Sequence, residues 1–118
     1  MVNRARIRFP EVNFACCDVI GAPECAGGDY DIVYSAGIFN LAATSSDAFL
    51  RTAFDAFCGL AGQHVAISLL NVASESREDT YRYFRPEDVL RDLARPGWEL
   101  RVIDGYLQND FTLIATRL

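Results

Sequence analysis

The feature that most constrains this chain is how its hydrophobic periodicity changes toward the carboxyl end. Val89, Leu90 and Leu93 recur at helical spacing behind Pro86, which suits the first position of a helix, and Gly97 closes the segment. After it the pattern turns to alternation. Trp98, Leu100 and Val102 interleave with Glu99 and Arg101, and Phe111-Thr-Leu-Ile-Ala-Thr116 follows with only a turn at residues 107–110 between them. Two successive strands with no helix between them predict a terminal antiparallel hairpin.

Upstream, helix and strand alternate. His64-Val-Ala-Ile-Ser-Leu-Leu70 is a nearly continuous apolar run, as expected of a strand covered on both faces. Phe49, Leu50, Ala53, Phe54 and Phe57 form one apolar helical stripe, with Ser45 and Ser46 available as caps, Asp47 near the positive end of the dipole, and Gly59 and Gly62 at the end. Tyr30-Asp-Ile-Val-Tyr-Ser35 reads as a strand ended by Gly37, and Val12 to Cys16 as a short strand. Residues 17–29 read as loop with one helical turn, and residues 1–10 as the last turn of a helix or a loose arm. The order is strand, loop, strand, helix, strand, helix, strand, strand. It predicts an α/β domain with a mainly parallel sheet and right-handed crossovers, closed by the hairpin.

Composition narrows the function classes. The 118 residues make one domain at most, and a 51% apolar fraction is enough for a core. No run of about 18 apolar residues occurs, so no membrane-spanning helix is expected. The segment behind Arg4 and Arg6 has no apolar stretch of a secretory signal, and the expected location is the cytoplasm. A net charge of −5 argues against a general nucleic-acid binder. All 11 basic residues are Arg, which excludes a phosphate-loop or Schiff-base lysine. Cys16 and Cys17 are adjacent, which fits no zinc spacing, and His64 is the single histidine; no metal is expected. The cysteines read as small core residues in a reducing compartment.

The residues then resemble a known family. Arg8-Phe-Pro-Glu-Val-Asn-Phe, followed by Cys17-Asp18-Val, resembles the third strand of class I S-adenosylmethionine-dependent methyltransferases and the acidic position after it. Tyr30-Asp-Ile-Val-Tyr-Ser-Ala-Gly resembles the fourth strand. Ala48 to Leu70 is similar to the fourth helix, its turn (here Leu60-Ala-Gly-Gln) and the fifth strand. Tyr83-Phe-Arg-Pro-Glu-Asp-Val-Leu resembles the fifth helix. Gly97-Trp-Glu-Leu and Asp110-Phe-Thr-Leu-Ile-Ala-Thr-Arg resemble the last two strands. The resemblance implies one partial methyltransferase domain over 1–118. Its sheet order would be 3-2-1-4-5-7-6, of which this chain carries strands 3 to 7.

The departure is as informative. The family's acidic-x-Gly-x-Gly loop and the carboxylate that holds the ribose are absent from these residues; Gly27-Gly28 precedes the fourth strand and opens no helix. A loop whose backbone approaches a ligand closely needs glycine there.

The resemblance assigns S-adenosylmethionine as cofactor, bound weakly or not at all by the chain alone. Asp18 would accept from the adenine amino group and the Val19 N–H would reach a ring nitrogen, a division that suits an acceptor-only carboxylate. Ser35, Ala36 and Gly37 would face the transferred methyl group. Phe39 and Asn40 either touch substrate or form a plain turn. Tyr81, Tyr83 and Phe84 either line a substrate pocket or pack. Asp31, at the amino end of its strand, reads as a cap or the partner of an arginine. No catalytic base is assigned. The expected function is methyl transfer to a small-molecule acceptor, with a non-catalytic interaction module on the same scaffold as the alternative. The expected partner is a second copy of the chain or a complementary amino-terminal half.

Overall fold

The computed structural model describes all 118 residues. Its elements are α1 (Val2–Arg8), a 3-10 turn (Pro23–Ala26), β1 (Tyr30–Ala36), α2 (Asp47–Leu60), β2 (Ala61–Leu70), α3 (Pro86–Leu93), β3 (Trp98–Ile103) and β4 (Asp110–Arg117). The strands form one sheet in the order β1-β2-β4-β3. β1 and β2 are parallel, whereas β4 runs antiparallel to both β2 and β3. The fold class is therefore the expected α/β sheet closed by an antiparallel hairpin, with the last strand inserted between β2 and β3.

The local rules explain most boundaries. The Ser46 hydroxyl accepts from the Phe49 N–H at 3.0 Å and caps α2, and Asp47 sits in its first turn. α3 starts on Pro86 with Glu87 and Asp88 behind it and Arg91 in its last turn. Gly37 ends β1 in the left-handed region at φ +89°, a conformation that bars most side chains. Arg95 lies beyond α3, where it pairs with Asp55 of α2 and stacks 4.6 Å from the Phe54 ring centroid.

Alternation divides the sheet into two unlike faces. Val65, Ile67 and Leu69 of β2, Phe111, Leu113 and Ala115 of β4, and Trp98 of β3 point to one side. There they meet Leu50, Ala53, Phe54 and Phe57 of α2 and Val89 and Leu93 of α3 in a single cluster of 17 buried residues. The other side carries no helix. Its residues are Ile32 and Tyr34 of β1, His64, Ala66 and Ser68 of β2, and Thr112 and Ile114 of β4. Ile32 and Tyr34 are 60% and 63% exposed.

Three expectations change. Residues 12–16 form no strand, so the parallel part of the sheet is a single pair. A strand exists only through hydrogen bonds to a neighbouring strand, and this segment has none; its bonds are local, the Val12 N–H donating to the Phe9 carbonyl at 3.1 Å and the Arg6 guanidinium to the Phe14 carbonyl at 2.9 Å. β2 begins at Ala61 rather than His64, because Gly62 lets the chain pass close to the Tyr30 carbonyl: a Cβ there would stand 3.3 Å from it. Asp110 belongs to β4, and the hairpin connection is residues 104–109.

The cysteine reading holds for Cys58 alone, which is buried in α2. Cys16 is exposed. Cys17 and Cys25 are joined by a disulfide with Cα atoms 5.8 Å apart, closing the loop that holds Asp18. No helix is long and apolar enough to cross a membrane.

Candidate functional site

The carboxyl ends of β1 and β2 form the edge where open α/β sheets hold their ligands. Three hollows meet there. A slot of about 340 Å³ runs along the free edge of β1 and is lined by Val19, Val33, Ser35, Ala36 and Ile38. A groove of about 490 Å³ lies over the ends of β1 and β2, with Tyr34, Gly37, Asn40 and Ser68 in its wall. A third hollow of about 390 Å³ holds Tyr81 and Tyr83 and shares Asn40 and Leu70 with the groove.

Of the residues expected at the cofactor, Val19, Ser35 and Ala36 line the slot and Gly37 lines the groove, whereas Asp18 lines neither. Asp18 is exposed, and one carboxylate oxygen accepts the Gly21 N–H at 3.0 Å. The other accepts no hydrogen bond from the protein. A Cβ at Gly21 would push this carboxylate aside. The Val19 N–H is not used in any backbone or side-chain hydrogen bond. Ser35 is only 8% exposed, yet its hydroxyl has no partner. A buried hydroxyl without a partner is an unmet demand, here in the wall of a slot.

The expected substrate residues separate. Asn40 is half-buried at the junction of two hollows, and its carbonyl accepts the Arg82 N–H at 2.8 Å. Tyr81 is exposed, and the Tyr83 hydroxyl accepts the Glu78 N–H at 3.0 Å. Phe39 and Phe84 are not ligand contacts. Phe39 is fully buried, because the turn at Gly37 folds it back over α2, where its ring centroid lies 5.5 Å from that of Phe49. Phe84 is 4% exposed, since its N–H and carbonyl bond to Leu70 and Val72 and draw it into the core. Asp31 pairs with no arginine. His64 stands in the amino-terminal half of β2, 3.1 Å from the Thr116 hydroxyl and far along the strand from this edge.

Four hydroxyls escaped the sequence reading. Tyr34 and Ser68 are 3.1 Å apart, Ser68 and Thr112 3.1 Å, and Tyr106 and Thr112 2.8 Å. Register alone aligns them, across β1, β2, β4 and the hairpin connection.

Strand order, helices on one face and hollows at the carboxyl edge define an α/β domain whose fold matches part of solved methyltransferase structures. The structure is similar to that of SAH-bound magnesium protoporphyrin IX methyltransferase (ChlM) from Synechocystis PCC 6803, with a TM-score of 0.72 at 16% identity over 100% of this chain and 59% of that chain. The same protein with SAM bound gives 0.69, and the chain then spans 55% of its length. N-methyltransferase NodS from Bradyrhizobium japonicum WM9 gives 0.58 at 12% identity, over 98% of this chain and 67% of that one. At such identities the likeness is one of fold. No family model and no curated protein matches the sequence.

Proposed function

We propose that this chain is the adenine- and acceptor-facing part of an S-adenosylmethionine-dependent methyltransferase domain, acting on a small molecule once a complementary half completes the cofactor site. The observation that carries this reading is the slot at β1. Val19, whose N–H is unused, and Ser35, whose buried hydroxyl has no partner, line an otherwise apolar space, and Asp18, with one carboxylate oxygen free, directly precedes Val19 in the chain. An adenine edge offers an amino donor beside a ring acceptor, which matches the Asp18 and Val19 pair, and its flat apolar body matches the lining. S-adenosylmethionine, when bound, supplies an electrophilic methyl group on a sulfonium. The residues here contribute binding at one end and an acceptor groove at the other. Alignment of nucleophile and carbon can supply much of the rate of such a transfer, the acceptor's proton passing to solvent.

The ribose and methionine parts have no counterpart among these residues. The unpaired edge of β1 is where a complementary half, or a second copy, would supply them.

Titration calorimetry tests the reading. The chain alone should bind S-adenosylmethionine very weakly or not at all, and its complex with a co-expressed amino-terminal half should bind it saturably. Asp18→Ala in that complex should weaken binding about tenfold, the size of one charge-assisted hydrogen bond. A complex that assembles but binds no cofactor would make the chain a non-catalytic module.

A further inference from the structure

The groove over the ends of β1 and β2 has a chemistry of its own. Tyr34, Ser68, Thr112 and Tyr106 form a chain of four hydroxyls joined by three hydrogen bonds. Each hydroxyl carries one proton. When the chain runs in one polarity, three protons fill the three bonds and one is left over at a terminal tyrosine. The groove therefore presents an O–H donor at one end and an oxygen acceptor at the other, and reversing the chain exchanges them. Tyr34 and Tyr106 are 63% and 46% exposed, so both ends are within reach of a ligand.

Charge adds a second constraint. Apart from the tyrosines, the only ionisable residue lining the groove is Asp110 at the start of β4; no arginine lines it. A carboxylate or phosphate ligand would meet a like charge and no counter-ion. A protonated amine would find a partner. Leu70 and Leu107 supply apolar wall for a ring or short aliphatic body.

From these features we infer that the groove binds a small molecule carrying a hydroxyl and a protonated amine on a short apolar frame, the hydroxyl joining the Tyr34–Ser68–Thr112–Tyr106 chain and the ammonium facing Asp110. Calling this ligand the methyl acceptor rests on the function proposed above; its binding to the groove does not.

Tyramine is a probe of this class, and 4-hydroxyphenylacetate keeps the phenol while replacing the amine by a carboxylate. Two-dimensional NMR of the full chain, titrated with each and without S-adenosylmethionine, provides the test. Tyramine should give saturable shifts at Thr112, Ser68 and Asp110, at least tenfold tighter than 4-hydroxyphenylacetate. Asp110→Asn should remove that preference. Tyr106→Phe, which removes only the bond to Thr112 and whose fold circular dichroism checks, should weaken tyramine several-fold. Equal affinity for the two probes, no saturable shift, or shifts outside the groove would overturn the assignment. Cofactor binding by the completed domain is measured separately, so a failed groove and a failed methyltransferase reading give different results.

Discussion

Trp98 offers the sharpest test of the packing. It opens β3, is 9% exposed, and points with half-buried Leu100 and Val102 toward α3. The Arg117 guanidinium lies 4.4 Å from its ring centroid. Arg117 in turn donates to the carbonyls of Gly62, Cys58 and Ala61 at 3.1, 3.0 and 2.8 Å, which ties the last strand to the end of α2. A buried tryptophan removes about 150–250 Å² from water. At roughly 25 cal/mol per Å² this is about 4–6 kcal/mol, and compactness of the unfolded chain lowers it to about 3–5 kcal/mol. Trp98→Ala should therefore destabilise by about 3–5 kcal/mol, in the range of other large core truncations. For a chain of this length the midpoint should drop by roughly 12–20 °C. Urea titration followed by far-ultraviolet circular dichroism is the assay, since the substitution removes the fluorophore. Arg117→Ala should show coupling of about 0.5–1 kcal/mol with Trp98→Ala in a double-mutant cycle. A loss below about 1 kcal/mol for Trp98→Ala would refute the burial and the strand register together.

Ser35→Ala removes a hydroxyl that bonds to nothing, so thermal denaturation should show no loss of stability, while adenosine binding by the completed domain weakens; a clear destabilisation would mean the hydroxyl has a partner in the fold. Burial pushes the Cys58 thiol up, opposed by Arg95. The folded state holds that proton more tightly, so the contribution is full below the unfolded value of about 8.5 and is lost as pH rises through the raised folded value. Urea midpoints at about pH 8 and 10 should therefore diverge less in Cys58→Ala than in the parent chain, and identical divergence would deny the shift. Light scattering should find the isolated chain self-associated at micromolar concentration through β1, and Ile32→Arg should shift that population; an all-monomer profile of the parent would count against the exposed edge as an association site.

What could be read from the residues followed how local their causes were. The run His64–Leu70, the stripe from Leu50 to Phe57 and the alternation after Gly97 each carry their period within one segment, and the structure places all three as strand, helix and strand. Val12–Cys16 has a strand's composition but no neighbour to pair with, and pairing is not a local property. Phe39 and Phe84 looked like edge residues because they sit beside Gly37 and Tyr83; turn geometry and two backbone hydrogen bonds fold them inward. The Cys17–Cys25 pair depends on how the chain bends through the 3-10 turn. The hydroxyl chain depends on the register of three strands, which places residues 34, 68, 106 and 112 side by side although nothing in their spacing announces it.

The free edge of β1 has a consequence for what stability means in this molecule. Seven residues, Tyr30–Ala36, carry no proline, and their charge at Asp31 and the register shift between Tyr30 and Ile32 both fall at the amino end, so the stretch from Ile32 to Ala36 is left without the usual obstacles to strand addition. Whatever chain completes that edge binds the folded form and not the unfolded one. By mass action the folding equilibrium then moves with the concentration of that chain. With such a partner, a melting temperature measured on the isolated protein would be one point on a curve whose other axis is partner abundance. The complementary half proposed above would thus couple lifetime to supply, since copies in excess of it would stay exposed to proteolysis and to strand-by-strand aggregation.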